Sequence, residues 1–315
     1  MKKLTDENKI QRSPFRVQEI DELYNNVKKF RSTKYSRELL DFIAKFPFVA
    51  PYNAMLIFMQ KPGSKYVATA KVWKEKFGRT PKKDASPLII LKTFGPVSFV
   101  FEMNDTEGKE VPEDIINPFK VIGKTSKHNF YNLMDGLEKA AIGYVEKNYG
   151  TELAGRITKR DNPKIMVVGR NNKGELIKIK SWFEIIINSN LSESEKISTI
   201  FHELGHYFCG HLPMPKDIKY IPERENLNLL VKEFEAETVC WLLCRRFGIE
   251  NPSEKYLNFY LDNNEEIPKG ISYDAILKSC GKIETMLNGK FVTPKELFVT
   301  ENFNGRYLHQ TQLFY

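Results

Sequence analysis

Two histidines four residues apart, with a glutamate directly after the first, are residue types that hold a cation and move a proton: His202-Glu203-Leu204-Gly205-His206. On a helix, a spacing of four stacks both rings on one face, one turn apart, so both reach a single ion. Glu203 is turned about 100° around the axis. It cannot easily share the ion, but it can take a proton from a water beside it. Two neutral nitrogens and one carboxylate base suit hydrolysis at a divalent ion, with zinc preferred over manganese or nickel. Gly205 leaves room for another element to approach the helix closely. The chain has five histidines, and three of them fall between 202 and 211.

A catalytic zinc takes three protein ligands and keeps one position open. A second helical stretch holds Glu233-Phe234-Glu235-Ala236-Glu237. Glu233 and Glu237 share a face, and Glu235 points elsewhere; a solvated face or an ion pair is the ordinary use of such acids. His211 stands five residues after His206, whereas a third histidine ligand of the metzincin kind stands six after, with a glycine between. A carboxylate third ligand is therefore preferred, and His211 is left to support the ligands from behind or to sit at the surface. Tyr207 and His211 are the donors at hand for a developing oxyanion.

These groups need rigid elements. Ser192 and Glu195 form a capping box, so a helix starts near Glu193. Ile197, Ile200, Phe201, Leu204 and Phe208 mark its buried side, and Gly210 and Pro213 its end. Residues 227–247 read as a helix ending at Gly248. Upstream, Lys164–Val168 and Ile177–Ile187 read as strands with a turn at Lys173-Gly174, and 130–148 reads as helical. Residues 17–30 are amphipathic, and 36–60 are helical but divided by Pro47 and Pro51. Leu88–Leu91 and Val97–Phe101 are strand-like around Thr93–Pro96; a linker is placed over 102–128. The last 50 or so residues look helical. The expected fold is α+β in two domains, residues 1–120 and 121–315.

With 315 residues, 41% hydrophobic and 28% charged, the chain has the composition of a globular protein. No apolar run approaches the roughly 20 residues that span a bilayer, and the basic N-terminus lacks the apolar core of a secretory signal. A cytoplasmic location is expected. Cys209, Cys240, Cys244 and Cys280 make no CxxC pair and read as buried thiols. The net charge is +8. Between Lys61 and Lys92 stand nine lysines and arginines, opposed only by Glu75 and Asp84, with Tyr66, Trp73, Phe77 and Phe94 interleaved. Cations that track phosphates and aromatic faces that stack bases are what single-stranded DNA needs. A solvated face over a core Trp73 and Phe77 is the competing use.

Ser198–His211, STIFHELGHYFCGH, resembles the ImmA/IrrE-type peptidases. That resemblance implies Glu233, the first glutamate of Glu-Phe-Glu-Ala, as the third metal ligand, and Glu237 as an acid supporting the ligands. Tyr52–Pro62 (YNAMLIFMQKP), Val72-Trp73 with Gly78-Arg79 and Lys82-Lys83, and Phe99–Gly108 resemble motifs of the ArdC-type antirestriction proteins. That family joins a single-stranded-DNA-binding domain to a zinc metallopeptidase domain. The resemblance covers roughly residues 36–115 and 160–250, and implies DNA contacts from Lys71, Trp73, Lys74, Arg79, Lys82 and Lys83. The sequence departs from the pattern at Asp84, where the family has glycine, and in its unmatched C-terminal 50 residues. The role implied is protection of incoming mobile-element DNA. The alternatives are a regulatory peptidase that cleaves a repressor, and a DNA-binding protein whose peptidase activity is incidental.

Overall fold

The computed structural model describes residues 33–92, 97–111, 127–150, 153–249 and 267–299. The helix expected over 17–30, the turn at 93–96 with Phe94, and the expected domain boundary near 120 lie outside these residues. The protein is α+β.

Pro47 and Pro51 divide the first helical stretch as their chemistry requires. Helix α1 spans Thr33–Ala44, and α2 spans Pro51–Gln60 with Pro51 in its first turn, where a missing N–H costs nothing. A small basic unit follows. It contains β1 (Val67–Ala68), α3 (Ala70–Phe77), β2 (Arg79–Pro81), β3 (Leu88–Ile90), β4 (Ser98–Glu102) and β5 (Thr106–Gly108). The strands pair antiparallel as β1-β4-β3 and β2-β5. Residues 102–111, read from the sequence as the start of a linker, instead carry the end of β4 and all of β5. Such three-residue strands have too little pattern of their own and exist by pairing with residues far away, Arg79 with Gly108 and Pro81 with Thr106.

The larger unit begins with α4 (Lys127–Lys139). The helix expected to continue to 148 stops early. Ala141 adopts a φ of 56°, and the β-favouring run Ile142–Lys147 becomes strand β6. Strands β7 (Gly155–Arg170) and β8 (Leu176–Asn188) form the expected hairpin. The sheet order is β6-β8-β7, with β6 parallel and β7 antiparallel to the central β8. Helix α5 (Glu193–Phe208) starts on the complete Ser192–Glu195 capping box, and α6 (Leu229–Phe247) ends at Gly248. Helix α7 (Tyr273–Leu287) packs on both.

Helices α1 and α2 share the core of this larger unit. Leu39, Leu40, Ile43 and Ile57 are fully buried in one cluster with Leu243, Ile276 and Ile283. Arg246 of α6, itself buried, donates to the carbonyls of Ile43 (2.7 Å), Phe46 (3.0 Å) and Val49 (2.8 Å), and its Nε donates to Glu284. All four cysteines are buried free thiols. Among the described residues, no helix is long and apolar enough to cross a membrane.

Candidate metal centre

Helices α5 and α6 face each other at Gly205. A Cβ there would stand 2.9 Å from Ala236 Cα and 3.1 Å from its carbonyl oxygen. The missing side chain lets the two backbones come close enough for carboxylates of α6 to reach histidines of α5. His202 Nε2 and His206 Nε2 lie 3.1 Å apart. Glu233 Oε2 is 3.5 Å from the first and Glu233 Oε1 is 3.6 Å from the second. The sequence placed these three residues on two helices, and the structure brings them into one triangle.

The surrounding hydrogen bonds dictate where the protons sit. His202 Nδ1 is 3.0 Å from Glu237 Oε2. An ionised carboxylate only accepts, so Nδ1 carries the proton and Nε2 turns a lone pair to the triangle. His211 Nε2 is 2.9 Å from Glu235 Oε2 and donates to it for the same reason. A neutral His211 then has a lone pair on Nδ1, 3.0 Å from His206 Nδ1, which must donate. His206 Nε2 is thereby left bare as well. In these tautomers two lone pairs and the Glu233 carboxylate converge on one point, a donor set suited to a borderline divalent ion such as zinc.

Electrostatics show what a cation would replace: burial disfavours a charged His202 ring, but hydrogen bonds that it donates to Glu233 and Glu237 outweigh it and raise its pKa well above that of free imidazole, so an ion at the triangle takes the place of the Nε2 proton. Hydrogen bonds with the two rings hold the Glu233 carboxyl far below the usual carboxylate range. Burial lowers the pKa of His211 and keeps it neutral.

Glu203 is buried, and its Oε2 accepts the N–H of Ile157 at 2.8 Å. Ile157 lies opposite Ile185 in the ladder, and because its N–H is given to Glu203 it faces the side of β7 away from β8. The free edge of β7 therefore runs beside Glu203. His211 is not at the surface; it is 3% exposed and bonded to His206. Tyr207, weighed as an oxyanion donor, is buried against Phe183, and its hydroxyl meets that of Tyr220 at 2.5 Å. Cys209, His211 and Glu235 form a second compact group of ligand-type atoms. Burial pushes the Cys209 thiol up to about 12, and both Glu235 oxygens are held by Arg224 at 2.6 Å, which suits a structural cluster and not an ion.

The basic unit presents Lys71, Lys74, Lys82 and Lys83 to solvent. Trp73 and Arg79, expected as DNA contacts, have partners within the unit. Trp73 is fully buried, with its indole N–H donated to Phe101 O at 2.9 Å and its ring against Tyr66 and Phe77. Its apolar bulk closes the small core under α3, so it cannot stack a base. Arg79 spends its guanidinium on Thr106 Oγ1 (2.8 Å), Thr106 O (2.7 Å) and Lys109 O, tying β2 to β5. Phe99 on β4, 40% exposed, offers an aromatic face that residue-type counting passed over.

No curated protein matches the chain. A solved structure described as the Mn(II)-bound antirestriction ArdC protein from the R388 plasmid is similar over 76% of this chain and 82% of its own, at 15% identity and a TM-score of 0.34. The model of the IrrE N-terminal-like domain, Peptidase_M78, matches residues 163–238. That stretch runs from β7 through α5 to Thr238 in α6, so the similarity to the IrrE N-terminal-like domain covers all three residues of the triangle.

Proposed function

We propose that this chain is a zinc-dependent metallopeptidase of the HExxH…E kind, with His202, His206 and Glu233 as ligands and Glu203 as base. The triangle of bare Nε2 atoms and the Glu233 carboxylate carries this reading. A zinc ion bound there would polarise a peptide carbonyl and acidify a water. Ile157 N–H holds Glu203 Oε2 and leaves Oε1 to take a proton from the attacking water and return it to the departing amine. Glu237 and His211 keep the ligand protons on the Nδ1 side, away from the triangle. An extended substrate can add to the free edge of β7 beside Glu203, with main-chain hydrogen bonds giving affinity.

The second half of the proposal is single-stranded DNA binding by the basic unit, serving protection of incoming mobile-element DNA in the cytoplasm. Its support is the exposed Lys71, Lys74, Lys82 and Lys83 and the partly exposed Phe99 of the same unit, together with the ArdC-like motifs of residues 52–108. Exposed cations and aromatic rings are the parts that a single strand uses.

Metal analysis and casein hydrolysis of Glu203→Gln test the first half. The variant is expected to retain zinc at full stoichiometry and to lose about 10²–10⁴-fold in turnover; turnover at the unmodified level sinks the assignment. Gel-shift comparison of single-stranded and duplex DNA tests the second, and equal or absent binding to both rejects it.

A further inference from the structure

We infer that His211, Glu235 and Arg224 form a positioning relay that fixes the tautomer and orientation of His206. The inference rests on the reading that His202, His206 and Glu233 hold a divalent ion.

The relay is built by the end of a helix. Helix α5 stops at Phe208, and the His211 N–H reaches back to His206 O (3.0 Å) while the Gly210 N–H reaches Tyr207 O (3.1 Å). These are the two bonds of a Schellman ending, with Gly210 in the left-handed position at φ +78°. A Cβ at Gly210 would stand 2.0 Å from Pro222 O, so only glycine fits. The ending turns the chain sharply and lays His211 over His206, ring centroids 5.2 Å apart. A spacing of five, wrong for a third ligand on a continuing helix, is the spacing this turn requires.

Behind His211 stands Glu235, with no exposed side-chain surface. Its Oε2 accepts from His211 Nε2 (2.9 Å) and Arg224 Nη1 (2.6 Å); its Oε1 accepts from Arg224 Nη2 (2.6 Å) and the Ser272 N–H (2.7 Å). Arg224 is held by its own contacts, Nη1 to Cys209 O at 3.1 Å and N–H to Gly210 O at 3.0 Å. The carboxylate is thus saturated, cannot take a proton without breaking a bond, and must accept from His211. Each link removes one choice from the next, and the last leaves His206 Nε2 as a bare donor aimed at Glu233. His202 reaches the same state through Glu237 alone, so the two ligands are set by separate supports. Groups of this kind commonly change metal affinity by 10–100-fold.

The test is zinc affinity, measured by competition with a chromophoric chelator at one pH, for the full chain and three variants. His211→Leu removes the acceptor for His206 Nδ1–H, and we expect zinc to bind about 10–100-fold more weakly. His211→Gln can accept from His206 and donate to Glu235, and is expected to restore most of that loss. His202→Ala should abolish stoichiometric binding. Wild-type affinity in His211→Leu, or a loss in His211→Gln as large as in His211→Leu, overturns the relay while leaving the metal site standing. Full zinc in His202→Ala overturns the metal site itself. Histidine ¹⁵N shifts of the wild type give a readout that needs no variant: His206 must carry its proton on Nδ1 with zinc bound, and the opposite tautomer refutes the relay.

Discussion

Adding one methyl group at Gly205 tests whether the closeness of α5 and α6 makes the site. The new Cβ would start 2.9 Å from Ala236 Cα and 3.1 Å from Ala236 O, and both are backbone atoms that cannot rotate away. Carbon atoms pack at about 3.5–4.0 Å, so the helices must part by roughly 0.6–1.1 Å at this contact. Overpacking of this kind costs about 1–3 kcal/mol, and the better helix propensity of alanine returns about 1 kcal/mol. The net loss is therefore about 0–2 kcal/mol, small enough for the variant to fold. The effect on zinc is larger in proportion. Glu233 sits one turn from Ala236 and moves with it, while ligand distances tolerate only about 0.2 Å. Zinc affinity of Gly205→Ala is expected to fall about tenfold or more, read by chelator competition beside thermal unfolding of the apo protein. Gly281→Ala, in α7 with nothing within 4 Å of the new Cβ, is the control and should gain about 0.5–1 kcal/mol. If Gly205→Ala binds zinc like the wild type and matches Gly281→Ala in stability, the close approach is not what assembles the site.

Three further expectations follow from the contacts described. Ser192→Ala removes the capping box of α5 and should cost about 1 kcal/mol in denaturant unfolding. Hydrogen bonds from Ser192 lower the Glu195 pKa, so this stabilisation is present above the unfolded carboxylate range and fades as pH falls through it; a wild-type-to-variant gap that widens in acid contradicts the assignment. Arg246→Met strands the carbonyls of Ile43, Phe46 and Val49 and leaves the half-buried Glu284 without its cation, so the denaturation midpoint should fall by an amount equivalent to about 3–5 kcal/mol. Replacing Lys71, Lys74, Lys82 and Lys83 together with alanine should weaken single-strand binding and flatten its dependence on log salt by up to about 3 units, measured by titration at several salt concentrations.

Local chemistry made the site's frame legible. The Ser192–Glu195 box, the turn at Lys173-Gly174 and Gly248 at the end of α6 each act within a few residues, so reading them requires no knowledge of the fold. The histidine spacing carried its own geometry for the same reason. What escaped depended on distance along the chain. Strand β6 was read as helix because Ala140-Ala141 extend the helical pattern, and only the parallel pairing with β8 rewards an extended Ile142–Lys147. Trp73 and Arg79 were read as DNA contacts from residue type and the resemblance, and only tertiary packing shows that Trp73 is buried and that Arg79 ties β2 to β5. Glu235 was rightly placed on another face of α6 from Glu233, yet its bond to His211, 24 residues away, depends on where the chain after Gly210 returns.

The burial of Arg246 among the carbonyls of residues 43–49 has a consequence for how this molecule can be taken apart. In chain order the basic unit lies between α2 and α4, and in space both of those helices pack against α7. The described residues 61–92 and 97–111 thus stand in the chain between two helices that pack on the same third helix. A fragment that begins at residue 121 would lose Leu39, Leu40, Ile43 and Ile57 from its core and strip Arg246 of its carbonyl acceptors. Excision of 61–126, with the two ends rejoined by a flexible bridge, keeps Leu39, Leu40, Ile43 and Ile57 against Leu243, Ile276 and Ile283 and removes Val67, Leu88 and Val100 from the same cluster.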